Sequence, residues 1–361
     1  MIYRKELENL NCYKPGKPIE EVKRTLGLEE VYKLASNEIP FIPVHINKVI
    51  QKELKSINRY PDAGCFYLRK LLSEKLDVNT EQIVFGNGSD ELIALSLRAI
   101  INKGDEVIVS YPTFLIYEIQ AKIHSAKIIR VPFKEFRYSL TEILKNISNK
   151  TKIIFIANPD NPTGTYLTQK EVEAFMIKVP DNVLVFFDEA YFEFAPSDYP
   201  DTLKLLKKKK NIFVSRTFSK AYGLAGIRIG YGVGSKELAN VMNKIREPFN
   251  VNRLAQAGAI AALENDIFLK KVLNYVQKEK FYLYKEFNKL GIQFVKSATN
   301  FIMLDFNQDT SNLNDYLLKK GIIIRELKGW GMNNFFRVSI GKHKENKYFI
   351  HCLKKYMGLD K

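Results

Sequence analysis

The run SRTFSKAYGLAGIRIGYG, residues 215–232, decides the reading of this chain. It opens at the end of an apolar segment, 212–214, that reads as a buried strand. Three hydroxyl side chains, Ser215, Thr217 and Ser219, alternate along it and lead to Lys220. Glycines follow at 223, 226, 230 and 232, and Arg228 stands eight positions after the lysine. A lysine among small and hydroxyl residues, with an arginine returning nearby, suits a carbonyl cofactor that carries a phosphate. The amine can form a Schiff base, and the guanidinium and hydroxyls can hold the phosphate. The plainer reading is that the glycines only permit a tight strand-loop-strand path, so the surrounding chain has to decide.

Around this run, apolar segments at 83–85, 106–109, 128–131, 152–157, 183–187 and 229–233 also read as buried strands. Helical patterns at 91–101, 115–123 and 170–177 lie between them. Strands separated by helices predict a mostly parallel α/β sheet. Farther on, 267–290 reads as one long amphipathic helix, and strands follow near 301–305, 321–325 and 335–340. That part is expected to form an α+β unit. The expected division is a large domain over 37–251 and a smaller one made of 1–36 and 252–361.

Length and composition narrow the function classes. At 361 residues, 46% hydrophobic and 27% charged, the chain is globular in composition, which excludes disordered, coiled-coil and collagen-like classes. No apolar run approaches the ~20 residues of a membrane helix. The opening MIYRKELENL has no apolar signal core. Cys12, Cys65 and Cys352 lie far apart and form no CxxC pair, which reads as a reducing, cytoplasmic setting without a metal site. The net charge of +16 comes from scattered lysines, with one dense run at 207–210 and no RNP or zinc-finger pattern. A solvated basic surface is the expectation, with no nucleic acid and no membrane as partner; anionic small molecules would suit its field.

Three more motifs point to one site. The strand at 183–187 ends in DEAY, 188–191. Ligands of open α/β sheets sit beyond strand C-termini, and a carboxylate there can pair with a pyridinium nitrogen and make the ring an electron sink. A strand-end Asp is also an ordinary loop residue. NPDNPTG, 158–164, follows the strand at 152–157; two X-Pro bonds and a glycine stiffen a loop that can aim the Asn161 amide at a ring oxygen. GNGSDE, 86–91, lies between a strand and an apolar helix, where backbone N–H groups can face a phosphate. It is not a Walker A loop, since no Gly-Lys-Ser/Thr follows, and Glu91 stands where a G-x-G-x-x-G motif needs its third glycine.

These four motifs, in this order, resemble the fold type I pyridoxal-phosphate aminotransferases, with Asn161, Asp188 and Lys220 spaced 27 and 32 residues apart. YKPGKPIEEVKR at 13–24, KLASNE at 33–38, RYPD at 59–62 and GWGMNNFFRVSIG at 329–341 are similar to the histidinol-phosphate aminotransferases within that family. The resemblance implies a large domain with a mostly parallel seven-stranded sheet, a smaller α+β domain, and pyridoxal 5′-phosphate as cofactor. It implies amino transfer between L-histidinol phosphate and 2-oxoglutarate, giving imidazole-acetol phosphate and L-glutamate, in histidine biosynthesis. Lys220 would carry the Schiff base and act as base and acid of the proton shift. Asp188 would pair with the ring nitrogen, and Tyr191 and Asn161 would bond the ring oxygen. Gly88, Ser89, Asp90, Thr217, Ser219 and Arg228 would hold the cofactor phosphate, and Tyr111 would stack on the ring. Tyr60 would reach the neighbouring subunit's phosphate, which implies a homodimer. Arg337 would receive the anionic end of the substrate, with Tyr13 and Arg325 as further candidates and Asn37 near the substrate carboxylate. The same constellation also serves aromatic-amino-acid aminotransferases and threonine-phosphate decarboxylases. Trp330, Phe335 and Phe336 suit either an aromatic substrate ring or core packing.

Overall fold

The computed structural model describes all residues except 1, 5, 6, 9, 11, 360 and 361. Its centre is a seven-stranded sheet. In spatial order the strands are Ile83–Gly86, Gly230–Val233, Ile212–Thr217, Leu184–Asp188, Thr151–Ala157, Glu106–Tyr111 and Lys127–Pro132. Five run parallel from Ile212–Thr217 to Lys127–Pro132, and Gly230–Val233 is antiparallel to both of its neighbours. Ile212–Thr217 and Leu184–Asp188 are buried along their whole length, which is why they read as continuous apolar runs rather than alternating ones. Helices such as Ser89–Ile100 and Gln169–Lys178 cover the two faces.

Chain direction decides where chemistry can collect. Asp188 and Thr217 end neighbouring parallel strands, so both strands deliver their last residues to one edge. The turn after Ile83–Gly86 reaches the same edge, because that strand is antiparallel to Gly230–Val233, itself antiparallel to Ile212–Thr217, and so runs in the direction of the five parallel strands. Gly230 has to be glycine: a Cβ would lie 2.8 Å from the Ser89 nitrogen and 2.9 Å from the Arg216 carbonyl oxygen.

The later part builds a four-stranded antiparallel sheet, ordered Arg325–Glu326, Phe335–Ser339, Phe301–Asp305, Gln293–Val295. The helix Asp266–Lys289 packs on it through Val272, Val276, Leu283 and Phe287. The segment read as one strand at 321–325 is split. Ile322–Ile323 pairs in parallel with Tyr32–Lys33, whereas Arg325–Glu326 joins the four-stranded sheet. Among the described residues, the N-terminal stretch holds the helix Ile19–Leu26 and a strand, and Leu34 enters the core of the small sheet. The helix Arg253–Leu263 lays Ala255, Ala259 and Ala262 on the core of the large sheet. No helix among the described residues is long and apolar enough to cross a membrane.

Candidate active site

The strand ends, the turn at 86–89 and the small sheet enclose a cavity of about 350 Å³. Asp188 lies at its floor, where Tyr117 donates its hydroxyl to Oδ2 at 2.7 Å and the Ala190 N–H reaches Oδ1 at 3.2 Å. Burial raises the Asp188 carboxyl to about 6, and the Tyr117 hydrogen bond works against that rise. Lys220 follows the strand Ile212–Thr217 and is half-buried, with Nζ 3.4 Å from the Ser36 carbonyl oxygen and 5.6 Å from the Tyr191 ring. Burial lowers its amine to about 8, and the Arg337 charge adds to the effect.

Tyr191 accepts a hydrogen bond from Asn37 Nδ2 at 2.8 Å, and burial lifts its hydroxyl to about 12. Asn37 adopts a left-handed backbone, φ 55°, and is fixed by the small sheet: its N–H reaches Ser339 Oγ at 2.7 Å, and its carbonyl accepts Asn300 Nδ2 at 2.9 Å. Arg337 donates to Asn161 Oδ1 at 2.5 Å and to the Ala35 carbonyl at 2.6 Å. Its Nε is buried without a partner, and so is the Nε of Arg325. The Arg325 guanidinium lies 5.6 Å from the Tyr13 ring and 5.3 Å from the Trp330 ring.

The opposite end is built for an anion. Ser89 starts a 12-residue helix, and Gly88 precedes it with φ 84°. A Cβ on Gly88 would meet Arg228 Nη2 at 2.4 Å, so only glycine lets that guanidinium approach the turn. Arg228 also faces Ser219 Oγ at 3.4 Å and Asp90 Oδ2 at 3.8 Å. Thr217 Oγ1 accepts the Ser219 N–H at 3.1 Å. Helix N–H groups, a guanidinium and hydroxyls within one concave turn form a donor set for phosphate.

Most residues singled out from the sequence therefore line one cavity. Lys220, Asp188, Tyr191 and Asn161 form its centre, Ser89, Asp90, Thr217, Ser219 and Arg228 one end, and Tyr13, Asn37, Arg325 and Arg337 the other. Gly88 shapes the turn from behind. Tyr111 is not brought in: its hydroxyl is bonded to the Trp330 carbonyl, and Phe114 and Tyr117 of the following segment line the wall instead. Tyr60 also lies outside its own chain's cavity; it is 78% exposed and stacks on Phe249, with centroids 4.5 Å apart. Trp330 is buried and donates Nε1 to the Thr113 carbonyl, while Phe335 packs on Phe136 and Phe336 on Phe306, so all three serve the core. In the basic run, Lys207, Lys209 and Lys210 pair with Asp77, Asp181 and Glu237. Sequence reasoning missed Tyr117, Phe114 and Ser339. Tyr117 had a signal in its place four residues after Thr113, on the first turn of the helix Ile116–Ile123; Ser339 had none, because its role depends on contact across 302 residues.

Comparison with known proteins gives the site its setting. The model of the aminotransferase class I and II family matches residues 29–353. A histidinol-phosphate aminotransferase of Mannheimia succiniciproducens is 44% identical over 98% of this chain and 97% of its own length. One from Carboxydothermus hydrogenoformans is 42% identical over 99% of both. The crystal structure of histidinol-phosphate aminotransferase from Sinorhizobium meliloti in complex with pyridoxal-5′-phosphate superposes with a TM-score of 0.90 at 28% identity, covering 99% of this chain and 98% of that one.

Proposed function

The chain belongs to the class I and II aminotransferase family, and from that premise we propose that it transfers an amino group from L-histidinol phosphate to 2-oxoglutarate. The products are imidazole-acetol phosphate and L-glutamate, within histidine biosynthesis. The observation that carries this reading is the convergence of Lys220, Asp188 and two guanidinium groups with unpartnered nitrogens on one cavity. Full-length relatives bear the same activity in their names.

Pyridoxal 5′-phosphate fits the donors present: a turn that only glycine keeps open to Arg228, a buried carboxylate, and an amine held near neutrality. When bound, it supplies an electron sink for a carbanion beside the substrate nitrogen. Lys220 would hold it covalently. Asp188 would face its ring nitrogen, Asn161 and Tyr191 its ring oxygen, and Phe114 a ring face. Gly88, Ser89, Asp90, Thr217, Ser219 and Arg228 would hold its phosphate.

The chain's own residues then divide the work. Lys220, lowered to about 8, can hold a proton at Nζ and release it within the working pH range. Arg337, with Arg325 beside it, binds the anionic end of either substrate and so fixes the distance from the reacting carbon to Lys220. Asn37 holds Tyr191 in place and would lie close to the substrate carboxylate. Tyr13 closes that end through its contact with Arg325.

We place Tyr60 in a partner subunit's site, making the enzyme a homodimer; its exposure and its distance from the chain's own cavity support this. The division into a large and a small domain belongs to the same reading, with Arg253–Leu263 assigned to the large one by its packing. Free cysteines at 12, 65 and 352 agree with a cytoplasmic enzyme. The direct test is glutamate formation from L-histidinol phosphate and 2-oxoglutarate with added pyridoxal 5′-phosphate. No glutamate, with rapid turnover of phenylalanine, would replace the substrate assignment.

A further inference from the structure

Behind the anion-binding turn runs a chain of hydrogen bonds that never enters the cavity. Gly88 has no side chain to cap its helix, and its own N–H is used by the Gly86 carbonyl at 2.8 Å. The Asn87 N–H is instead taken by Glu91, whose Oε2 reaches back to it at 2.5 Å. The same oxygen accepts Asn250 Nδ2 at 2.8 Å, and that amide also reaches the Phe85 carbonyl at 3.0 Å. Asn250 Oδ1 accepts Arg246 Nη1 at 2.7 Å. Arg246 Nη2 ends the chain on the Ala63 carbonyl at 2.5 Å.

The far end is the segment that carries Tyr60. Arg253 holds the Tyr60 carbonyl at 3.1 Å, Gln256 holds that of Asp62 at 2.9 Å, and Phe249, next to Asn250, stacks on the Tyr60 ring. A carboxylate at a helix N-terminus would ordinarily compete with a phosphate for the same N–H groups. Glu91 avoids this by turning away from the mouth and spending its oxygen on Asn87 and Asn250, so the N–H groups of the first helical turn stay available.

We propose that Glu91, Asn250 and Arg246 are positioning residues that hold the phosphate turn in its binding geometry and tie it to the Tyr60 segment. One guanidinium thereby braces two phosphate sites: its own subunit's through Asn250, and the partner subunit's through Tyr60. The second half rests on the dimer reading given above.

The test compares dissociation constants for pyridoxal 5′-phosphate and for pyridoxal, which lacks the phosphate, with thermal unfolding of the apoprotein measured alongside. Glu91→Ala and Asn250→Ala should weaken pyridoxal-phosphate binding about tenfold and leave pyridoxal within about twofold, as expected for loss of one supporting hydrogen bond. Glu91→Gln should bind as wild type, because its amide oxygen can still accept both donors. Arg246→Ala should lose roughly a hundredfold, since both branches fail. Hybrid dimers that pair Arg246→Ala with a subunit retaining Arg246 should recover about tenfold at the Arg246→Ala site. Glu91→Ala binding pyridoxal phosphate as wild type, or losing pyridoxal in proportion, would overturn the relay. No recovery in the hybrids would overturn its Tyr60 branch. A wild type that does not prefer pyridoxal phosphate to pyridoxal would sink the cofactor reading itself, which is a separate result.

Discussion

Tyr117 gives its hydroxyl to Asp188 at 2.7 Å, and this bond opposes the burial that raises the carboxyl to about 6. In the proposed site Asp188 would have to be ionised to pair with a protonated ring nitrogen, so binding of the cofactor to apoprotein should weaken as pH drops through the carboxyl's pKa. Tyr117→Phe removes the opposing bond and raises that pKa further. The acid limb of cofactor binding by apoprotein should move up by about one pH unit, with little change above pH 8. Asp188→Asn should keep the cofactor bound and cut kcat by orders of magnitude. An unmoved acid limb in Tyr117→Phe would assign the titration to another group.

Lys220 is lowered to about 8 by burial first and by Arg337 second. Only the neutral amine attacks an aldehyde, so covalent attachment of the cofactor to apoprotein should speed up with pH and level off above 8. At pH 7 roughly one amine in ten is neutral. Lys220→Ala should lose attachment, seen as no cofactor fixed to the chain by borohydride, and nearly all turnover. Arg337→Ala removes a neighbouring cation and should raise the midpoint of the attachment profile. A flat profile between pH 6 and 9 would contradict the depressed pKa.

The proposed place of Tyr60 in a partner subunit's site makes two chains necessary for one site. Mixing inactive Lys220→Ala with inactive Tyr60→Ala should restore activity to the hybrid. There, the Tyr60→Ala subunit keeps its lysine and borrows a tyrosine. No recovery after proven subunit exchange would return Tyr60 to its own chain's site.

In the proposed reaction Arg337 would meet substrates with different anions, a phosphate in one and a carboxylate in the other. Its planar fork can bind either. Loss of a charge-assisted hydrogen bond costs about 1.5–3 kcal/mol, or roughly ten- to a hundredfold. L-histidinol phosphate should be strongly preferred to histidinol in kcat/KM, and Arg337→Ala should erase most of the gap. Arg337→Lys should rescue only part, because an ammonium lacks the fork. Preference for phenylalanine in the wild type would defeat the phosphate argument.

The large sheet was readable from its sequence because its strands are short apolar runs bounded by helices, and buried strands carry that signal with little dependence on distant partners. Lys220, Asp188 and Asn161 were readable because each sits just past such a strand. What was not readable depended on long-range contact. Tyr32–Lys33 is too short to announce a strand and exists because Ile322–Ile323 pairs with it. The division of 321–325 between two sheets is invisible in a continuous apolar run. Tyr111 is the ring partner its motif suggests, but its hydroxyl is bonded to the Trp330 carbonyl, 219 residues away, and Phe114 lines the cavity instead.

The bonds from Asn37 to Ser339 and from Arg337 to Ala35 each bridge 302 residues. During synthesis the seven-stranded sheet and its anion-binding turn are complete in sequence once residue 233 has emerged. The proposed substrate end has to wait for Phe335–Ser339, the last strand to be made among the described residues. A nascent chain can thus gain a pocket for phosphate well before it gains the means to choose among amines, and a chain that ends before residue 337 never acquires them.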